Sequence, residues 1–304
     1  MTDDIPARDL PIAGGVEDGP VSVEVPAWRI AVATLGKSPL SMVGLGIVLL
    51  IIVLAIFGPW IAPFPDDAGA TVNFAERLQP PSWKHWFGTD IVGRDVLSRV
   101  IVGARISMMI AAFVIVLAVL IGVPIGIIAA YWGGWLGNVL MRINEVFLAI
   151  PSLVFVLAVA ALLGPSLPVV IAAIALAWWT WFARLAYGEA LHIKEEQFVE
   201  AAQVSGAGGL RIAFTEILPN LTSVLVVKIT LDIGYVILLG AALGFLGLGV
   251  QPPDPEWGIM VAEGRDQLPN AWWLTTFPGL AIFVTVIGFN LLGDGLNDLL
   301  GARQ

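Results

Sequence analysis

Two opposite charges, Lys228 and Asp232, lie four residues apart in a stretch of sequence that is otherwise apolar. On a helix this spacing brings the ammonium and the carboxylate together on one face, where they can neutralise each other. A charge at the centre of a bilayer costs about 2.5–3.5 kcal/mol even on the milder insertion scale. The sequence leaves two interpretations open: an intrahelical ion pair without a transport role, or a cavity in which Asp232 meets the positive amino end of a peptide.

The residues that most catalytic and metal sites need are scarce in this chain. It has no cysteine and only two histidines, His85 and His192, among 304 residues. Disulfides, cysteine nucleophiles and zinc sites built from cysteine or several histidines are therefore excluded. The triplet Gly36-Lys37-Ser38 resembles the end of a phosphate-binding loop, but that loop needs a glycine where Ala31 stands. We expect no catalytic residue, no metal site and no cofactor on this chain.

A polar hairpin between two apolar segments is the most distinctive surface in the sequence. Phe198, Ala201, Ala202 and Ser205 recur at i, i+3, i+4 and i+7, which predicts one stripe of a short helix. The two alanines leave a shallow surface that a partner can approach closely. Gly206 follows, at the position where a helix end commonly needs a left-handed residue. A second amphipathic turn is predicted at Leu210, Ala213, Phe214 and Ile217.

The composition places these features in a membrane protein. Hydrophobic residues make up 58% of the chain and charged residues 13%, with a mean hydropathy of +0.89. A bilayer core about 30 Å thick needs about 20 apolar residues per helix. Apolar runs without strand-like alternation predict an all-α integral membrane protein with six transmembrane helices. The six predicted spans are Leu40–Ile61, Ile106–Tyr131, Val146–Leu163, Leu167–Tyr187, Leu221–Leu248 and Trp272–Leu292.

The hairpin resembles a known motif. Glu200-Ala201-Ala202, Gly206 after three further residues, and Ile217-Leu218-Pro219 are similar to the EAA loop of ABC importer permeases. Three further segments look like the second permease subunit of the dipeptide and oligopeptide importers, a family that also includes nickel importers. These segments are 61–107, Phe245–Gly258 and Phe289–Asp298. The chain departs from that subfamily at Glu216, where histidine is usual, and in the charges of its fifth span.

The resemblance implies a type I ABC importer transmembrane domain that docks onto separate ATPase subunits. The implied coupling residues are Phe198, Glu200, Ala201, Ala202, Ser205, Gly206, Ile217, Leu218 and Pro219. The implied partners are a homologous second permease subunit in a heterodimer, two ATP-binding subunits that hold ATP and Mg²⁺, and an extracytoplasmic substrate-binding protein. Membrane lipid surrounds the chain, and no nucleic acid is expected. The implied cargo is a di- or oligopeptide, with glutathione and nickel chelates as alternatives.

The predicted organisation follows from these assignments. Six acidic residues and four prolines among the first 26 residues predict a flexible tail. The predicted segments are an acidic cytoplasmic tail (1–27), an interfacial helix with the first span (28–61), an extracytoplasmic loop (62–105), a permease core (106–292) containing the coupling loop (195–219), and a cytoplasmic C-terminal tail (293–304).

The hairpin and the basic residues indicate the same orientation. With a cytoplasmic N-terminus, nine lysines and arginines fall inside and six outside. An ATPase-docking hairpin must also face the compartment that holds ATP. We therefore expect a multi-pass protein of the cytoplasmic membrane with both termini in the cytoplasm.

Charged residues outside the hairpin suggest two further sites. Asp90, Arg94 and Asp95 precede the second span and are candidates for a platform that receives the substrate-binding protein. The simpler interpretation is that these charges only hold the loop and anchor the helix end. Asp95 is also four residues before Arg99, a spacing that allows an ion pair. Glu145 joins Lys228 and Asp232 as a candidate for the translocation path, with an ion pair to Arg142 as the simpler interpretation.

An ion-coupled secondary transporter is the alternative from a different class. Such proteins commonly contain inverted repeats with intramembrane acids at paired positions. This sequence shows no such repeat, and its hairpin motif has no use in such a transporter.

Overall fold

The computed structural model describes residues 38–301 as a bundle of α-helices, and that range contains no β-strand. The predicted tail 1–27, the interfacial helix before residue 38 and the last three residues lie outside the described residues. Nine helices are numbered here in chain order: α1 Pro39–Ile61, α2 Val96–Trp132, α3 Gly134–Ala149, α4 Ser152–Leu163, α5 Leu167–Ile193, α6 Gln197–Val204, α7 Leu218–Phe245, α8 Trp257–Gly264 and α9 Trp273–Gly301.

Among residues 38–301, five helices are long and apolar enough to cross a membrane, which confirms five of the predicted spans. They are α1, α2, α5, α9 and a continuous helix Gly209–Phe245 that includes α7. The expected third span, Val146–Leu163, is not one helix. Residues 146–149 end α3, α4 begins at Ser152, and the two helices bend by 84°. A sixth span exists only if this bent pair counts as one.

Pro151 explains the break. Proline disfavours a helical conformation in the residue before it, and Ile150 accordingly has extended angles, φ −88° and ψ 125°. The 12 residues of α4 reach about 18 Å at 1.5 Å per residue. That length is about three fifths of what a bilayer crossing needs.

Two helices extend beyond the predicted spans. The second span begins at Val96 instead of Ile106, since the Asp95 carboxylate caps the helix by accepting a hydrogen bond from the Ser98 N–H at 2.7 Å. The last ten residues of the predicted extracytoplasmic loop 62–105 therefore belong to this helix. The last helix continues to Gly301, so most of the predicted C-terminal tail 293–304 is helical.

Small residues let the central helices approach closely. An added Cβ at Gly126 on α2 would lie 2.8 Å from the Ala186 Cβ on α5, and one at Gly122 would lie 2.9 Å from the Phe182 Cβ. Glycines four residues apart allow this kind of contact between membrane helices. The close packing fixes α5 against α2, and α5 and Gly209–Phe245 are the most enclosed of the spanning helices.

The segment 62–95 folds back onto the ends of α2, α8 and α9. The Trp273 indole N–H donates to the Thr89 carbonyl at 3.1 Å, and the Phe87 and Phe277 rings stack with centroids 3.8 Å apart. The Trp257 indole N–H donates to the Val100 carbonyl at 2.9 Å. This end of the bundle is called the loop end below, and the end with the 195–219 hairpin is called the hairpin end.

Candidate functional site

A cavity of about 640 Å³ opens in the middle part of the bundle. Three helices line it with polar and aromatic side chains: Ser152 from the start of α4, Trp178 and Trp181 from α5, and Lys228, Asp232 and Tyr235 from α7. Lys228 is ten residues into α7, about 15 Å from its hairpin end. The first residues of α4, directly after the break at Pro151, line the same cavity.

The predicted pair of Lys228 and Asp232 is confirmed. The Lys228 ammonium donates to Asp232 Oδ1 at 2.6 Å, and the Trp178 indole N–H donates to Oδ2 at 3.0 Å. The Asp232 side chain is 3% exposed and the Lys228 side chain 29%. Both carboxylate oxygens are therefore engaged inside the protein, whereas part of the lysine remains open to the cavity.

Glu145 does not join this group. It lies on α3 as an exposed side chain and accepts a hydrogen bond from Arg142 at 2.8 Å, which confirms the simpler interpretation of that residue. The cavity wall contains no atom of Glu145. Of the three residues suggested for the translocation path, the structure brings together Lys228 and Asp232 only.

The first half of the hairpin folds as its spacing predicts. Helix α6 spans Gln197–Val204, and the predicted stripe of Phe198, Ala201, Ala202 and Ser205 is exposed or half-buried. Val199 is fully buried and fixes α6 to the rest of the bundle. Gly206 has φ +83°, the left-handed conformation expected at a helix end. The stripe is thus presented outward on an anchored helix.

The second half of the hairpin differs from the predicted amphipathic turn. Ala213 and Ile217 are fully buried, whereas Leu210 and Phe214 are exposed, so the four residues do not form one face. The reason is a π-helical turn over Ile212–Ile217, which adds a residue to the turn and rotates the stripe. The turn continues directly into α7, where Leu218 and Pro219 occupy the first two positions.

The charged residues before α2 are buried at the loop end. Asp90 Oδ2 accepts a hydrogen bond from the Arg94 Nε–H at 2.7 Å, and Asp90 Oδ1 accepts from the Arg94 backbone N–H at 2.9 Å. Arg99 lies 3.7 Å from the same carboxylate and donates to Glu263 at 3.1 Å. These charges hold the loop onto α8.

Asp95 makes its hydrogen bonds with other groups, so the predicted Asp95–Arg99 pair is wrong. Its carboxylate caps α2 and lies 2.9 Å from His85 Nδ1. Asp90, Arg94 and Asp95 are all buried. Their charged groups point into the fold and hold the loop together. That this loop forms part of a platform for a delivering protein stays a prediction.

The comparisons with known proteins agree with this architecture. Residues 122–304, more than half of the chain, match the family described as binding-protein-dependent transport system inner membrane component. Residues 27–81 match the N-terminal transmembrane domain of oligopeptide transport permease C. The chain belongs to the ABC importer permeases. It is a translocation subunit and not an enzyme, and it resembles the second permease of the dipeptide and oligopeptide systems.

Relatives of this permease align along most of its length. A dipeptide transport system permease protein of Alkalihalophilus pseudofirmus is 42% identical over 92% of this chain and 91% of its own. A probable D,D-dipeptide transport system permease protein of Escherichia coli is 44% identical over 88% of both chains. A glutathione transport system permease protein of Escherichia coli is 42% identical over 88% of both chains.

Two acids of the permease were missed in the sequence: Glu256, which is buried, and Glu263, which is half-buried. Glu256 caps α8 by accepting the Ile259 N–H at 3.0 Å, and it accepts the Ser107 hydroxyl at 3.3 Å. Burial raises the pKa of the Glu256 carboxyl, and the N–H groups of Gly258 and Ile259 oppose that rise. Burial likewise raises the pKa of Glu263, against the charges of Arg99 and Arg94. The spacing of Glu256 before α8 could have indicated a cap, whereas nothing local marks Glu263.

Proposed function

We propose that this permease forms one half of a path for peptides across the cytoplasmic membrane, and that the 195–219 hairpin transmits the force of a separate ATPase to it. The observation that carries the proposal is continuity. The hairpin joins α5, with Trp178 and Trp181, to the helix Gly209–Phe245, with Lys228 and Asp232. Because both helices run unbroken from the hairpin to the cavity, displacing the hairpin moves two of its walls together.

The exposed surface of the hairpin supports a docking role. Phe198, Val204 and Leu210 are apolar and exposed, with Val204 at 84%. Glu200, Ala201 and Ser205 are exposed on the same short helix, and no polar partner outside the hairpin engages them. Apolar side chains rimmed by polar groups are typical of a protein–protein contact. The proposed occupant is an ATP-binding subunit, which places the hairpin end and both termini in the cytoplasm.

The family implies an ATPase and a substrate-binding protein as partners, and the finer composition is part of the proposal. One homologous permease subunit completes the path, two ATP-binding subunits hold ATP and Mg²⁺, and the binding protein delivers cargo at the loop end. Closure of the ATPases on ATP moves the hairpin and turns the cavity outward, and hydrolysis resets it. Such a cycle requires that each state binds its partners with different affinity.

The proposed cargo is a di- or oligopeptide. Two of the relatives described above are named for dipeptides, and their alignment covers the cavity-lining helices. Glutathione is the second candidate, because a glutathione permease aligns at similar identity. Competition for uptake by glutathione and by nickel chelates separates these possibilities.

The test is a reconstituted complex in vesicles that hold ATP. An arginine at Ala201, on the exposed stripe, is expected to reduce ATP-dependent peptide uptake at least tenfold without lowering the amount of assembled permease. Gln203→Arg, also exposed on α6 but off the stripe, is the matched control and is expected to retain uptake. Full uptake by Ala201→Arg, or uptake driven by a proton gradient without an ATPase, would contradict the proposal.

A second measurement follows the hairpin itself. Because the chain has no cysteine, Ala201→Cys introduces a single thiol. Its crosslinking yield to a cysteine on the ATPase is expected to change between the nucleotide-free and ATP-bound states. An identical yield in every nucleotide state would count against a moving hairpin.

A further inference from the structure

The two charges in the cavity are not equally available to a cargo. Asp232 is almost fully buried, and its two oxygens accept hydrogen bonds from Lys228 and Trp178. A cargo ammonium could reach the carboxylate only by displacing one of these donors. Lys228 uses one of its three N–H donors on Asp232, and its side chain is partly open to the cavity. The group offered to a cargo is therefore a cation.

The surroundings of Lys228 strengthen this preference. Its ammonium lies 5.9 Å from the ring centroids of Trp181 and of Phe182. Aromatic rings stabilise a cation without neutralising it. They also exclude water, and a lower local dielectric makes the attraction between a cation and an anion stronger. Lys228 is thus held in a fixed place, charged, beside an open volume.

The start of α4 adds positive potential to the wall of the same cavity. Ser152 and Leu153 line the same cavity, and no side chain caps this helix. The first N–H groups of a helix have no partner within it and carry the positive end of the helix dipole. Taken alone this helix end would not define a site. Together with the ammonium of Lys228 it makes the accessible polar surface of the cavity attractive to an anion.

We infer that this cavity receives the free carboxylate of the cargo, with Lys228 as its contact and Asp232 and Trp178 as the residues that hold Lys228 in position. The inference rests on the proposed function, since it requires that peptides pass through this cavity. It assigns the two charges differently from the sequence-based alternative, in which Asp232 meets the amino end. A C-terminal carboxylate is common to dipeptides, longer peptides and glutathione, so the site would serve all of them.

The test compares three forms of one peptide in the reconstituted complex: unmodified, C-terminally amidated and N-terminally acetylated. The substrate-binding protein also discriminates among these forms. Its contribution cancels when the uptake ratio of unmodified to amidated peptide is divided by the same ratio for a variant permease. Lys228→Gln alone would leave Asp232 buried without its cation. The variant used is therefore Lys228→Gln with Asp232→Asn, which replaces both charges by amides of similar shape.

The wild-type ratio of unmodified to amidated peptide is expected to exceed the ratio for the double variant by about tenfold, in line with one charge-assisted hydrogen bond. Lys228→Arg keeps the cation and is expected to retain most of this preference. The ratio for the acetylated peptide is expected to be equal in all three proteins.

Two outcomes would overturn the inference while leaving the proposed function intact. One is an unchanged ratio of unmodified to amidated peptide in the double variant. The other is a change confined to the acetylated peptide, which would assign the site to the amino end. Failure of the proposed function has a different signature, because the wild-type complex would then show no ATP-dependent uptake of any peptide.

Discussion

Arg99 on α2 and Glu263 on α8 are separated by 164 residues, and their side chains meet in a hydrogen bond of 3.1 Å between Nη2 and Oε2. Asp90 in the preceding loop completes the group with its carboxylate 3.7 Å from Arg99. Arg99 is almost fully buried and Glu263 is mostly so. The contact ties the loop before α2 to the connection between α7 and α9 at the loop end of the permease.

Removing Glu263 is expected to destabilise this end. Glu263→Gln keeps the shape of the side chain but leaves Arg99 without its nearest carboxylate, with Asp90 at 3.7 Å and Asp67 as the remaining acidic charges. Loss of one partner from a buried ion pair costs about 3 kcal/mol or more, because the remaining charge stays desolvated. The measurement is the thermal unfolding midpoint of the purified permease in detergent.

An exposed pair in the next turn provides the control for that measurement. Arg265 and Asp266 lie 3.4 Å apart with side chains 58% and 81% exposed. Asp266→Asn is expected to change stability by less than about 1 kcal/mol, since solvent screens exposed pairs. Equal changes in the unfolding midpoint from the Glu263 and Asp266 substitutions would show that the buried contact of Arg99 stabilises the permease no more than an exposed pair does.

Local patterns in the sequence are sufficient to predict the helices and the ion pair of Lys228 and Asp232. Long apolar runs, a four-residue spacing and Gly206 each act within one or two turns, and the structure confirms them. The break at Pro151 also has a local cause, because proline disfavours a helical conformation in the residue before it. It removes the single third span, and the start of α4 lines the cavity.

Contacts between distant segments could not be predicted in this way. The sequence predicts that Arg99 pairs with Asp95, four residues away, because helix spacing is the only geometric guide that a sequence offers. In the structure, Asp95 instead caps α2 and contacts His85, and Arg99 donates a hydrogen bond to Glu263. Likewise, the spacing of Lys228 and Asp232 predicts that they pair, but only the packing of Trp178 determines which of the two remains open.

Gly206 is expected to be required for the shape of the hairpin. Its φ of +83° is strained for any residue with a Cβ, although no atom lies within 4 Å of where that Cβ would be. Gly206→Ala should therefore lower the local stability of α6 by about 1 kcal/mol. Amide hydrogen exchange in residues 197–205, measured by mass spectrometry, is expected to become about fivefold faster, since 1.4 kcal/mol corresponds to about tenfold.

Asparagine at the same position separates conformational strain from loss of space. Asparagine adopts the left-handed conformation more readily than alanine, although it is larger. The amide hydrogens of residues 197–205 are therefore expected to exchange more slowly in Gly206→Asn than in Gly206→Ala. The opposite order would indicate that side-chain bulk, and not backbone conformation, is what the turn excludes.

Glu256 is expected to make the stability of the permease depend on pH. Burial raises the pKa of its carboxyl in the folded protein above the usual range of about 4.3. Between the two values the folded state binds more protons than the unfolded state, so this contribution to stability is complete below the usual pKa and is lost as pH rises through the folded pKa. Glu256→Gln mimics the protonated acid and keeps an acceptor for the Ile259 N–H.

The difference between the two proteins isolates this one group. The measurement is the thermal midpoint of wild-type and of Glu256→Gln permease from pH 4.5 to pH 8. All other residues titrate in both proteins, so their effects cancel in the difference between the two midpoints. The variant is expected to become more stable relative to wild type as pH rises, because only the wild type must carry a buried carboxylate that has lost its proton. A midpoint difference that stays constant across this range would mean that Glu256 has the same pKa in the folded and unfolded chain. Its hydrogen bonds from Ile259 and Ser107 would then fully offset its burial.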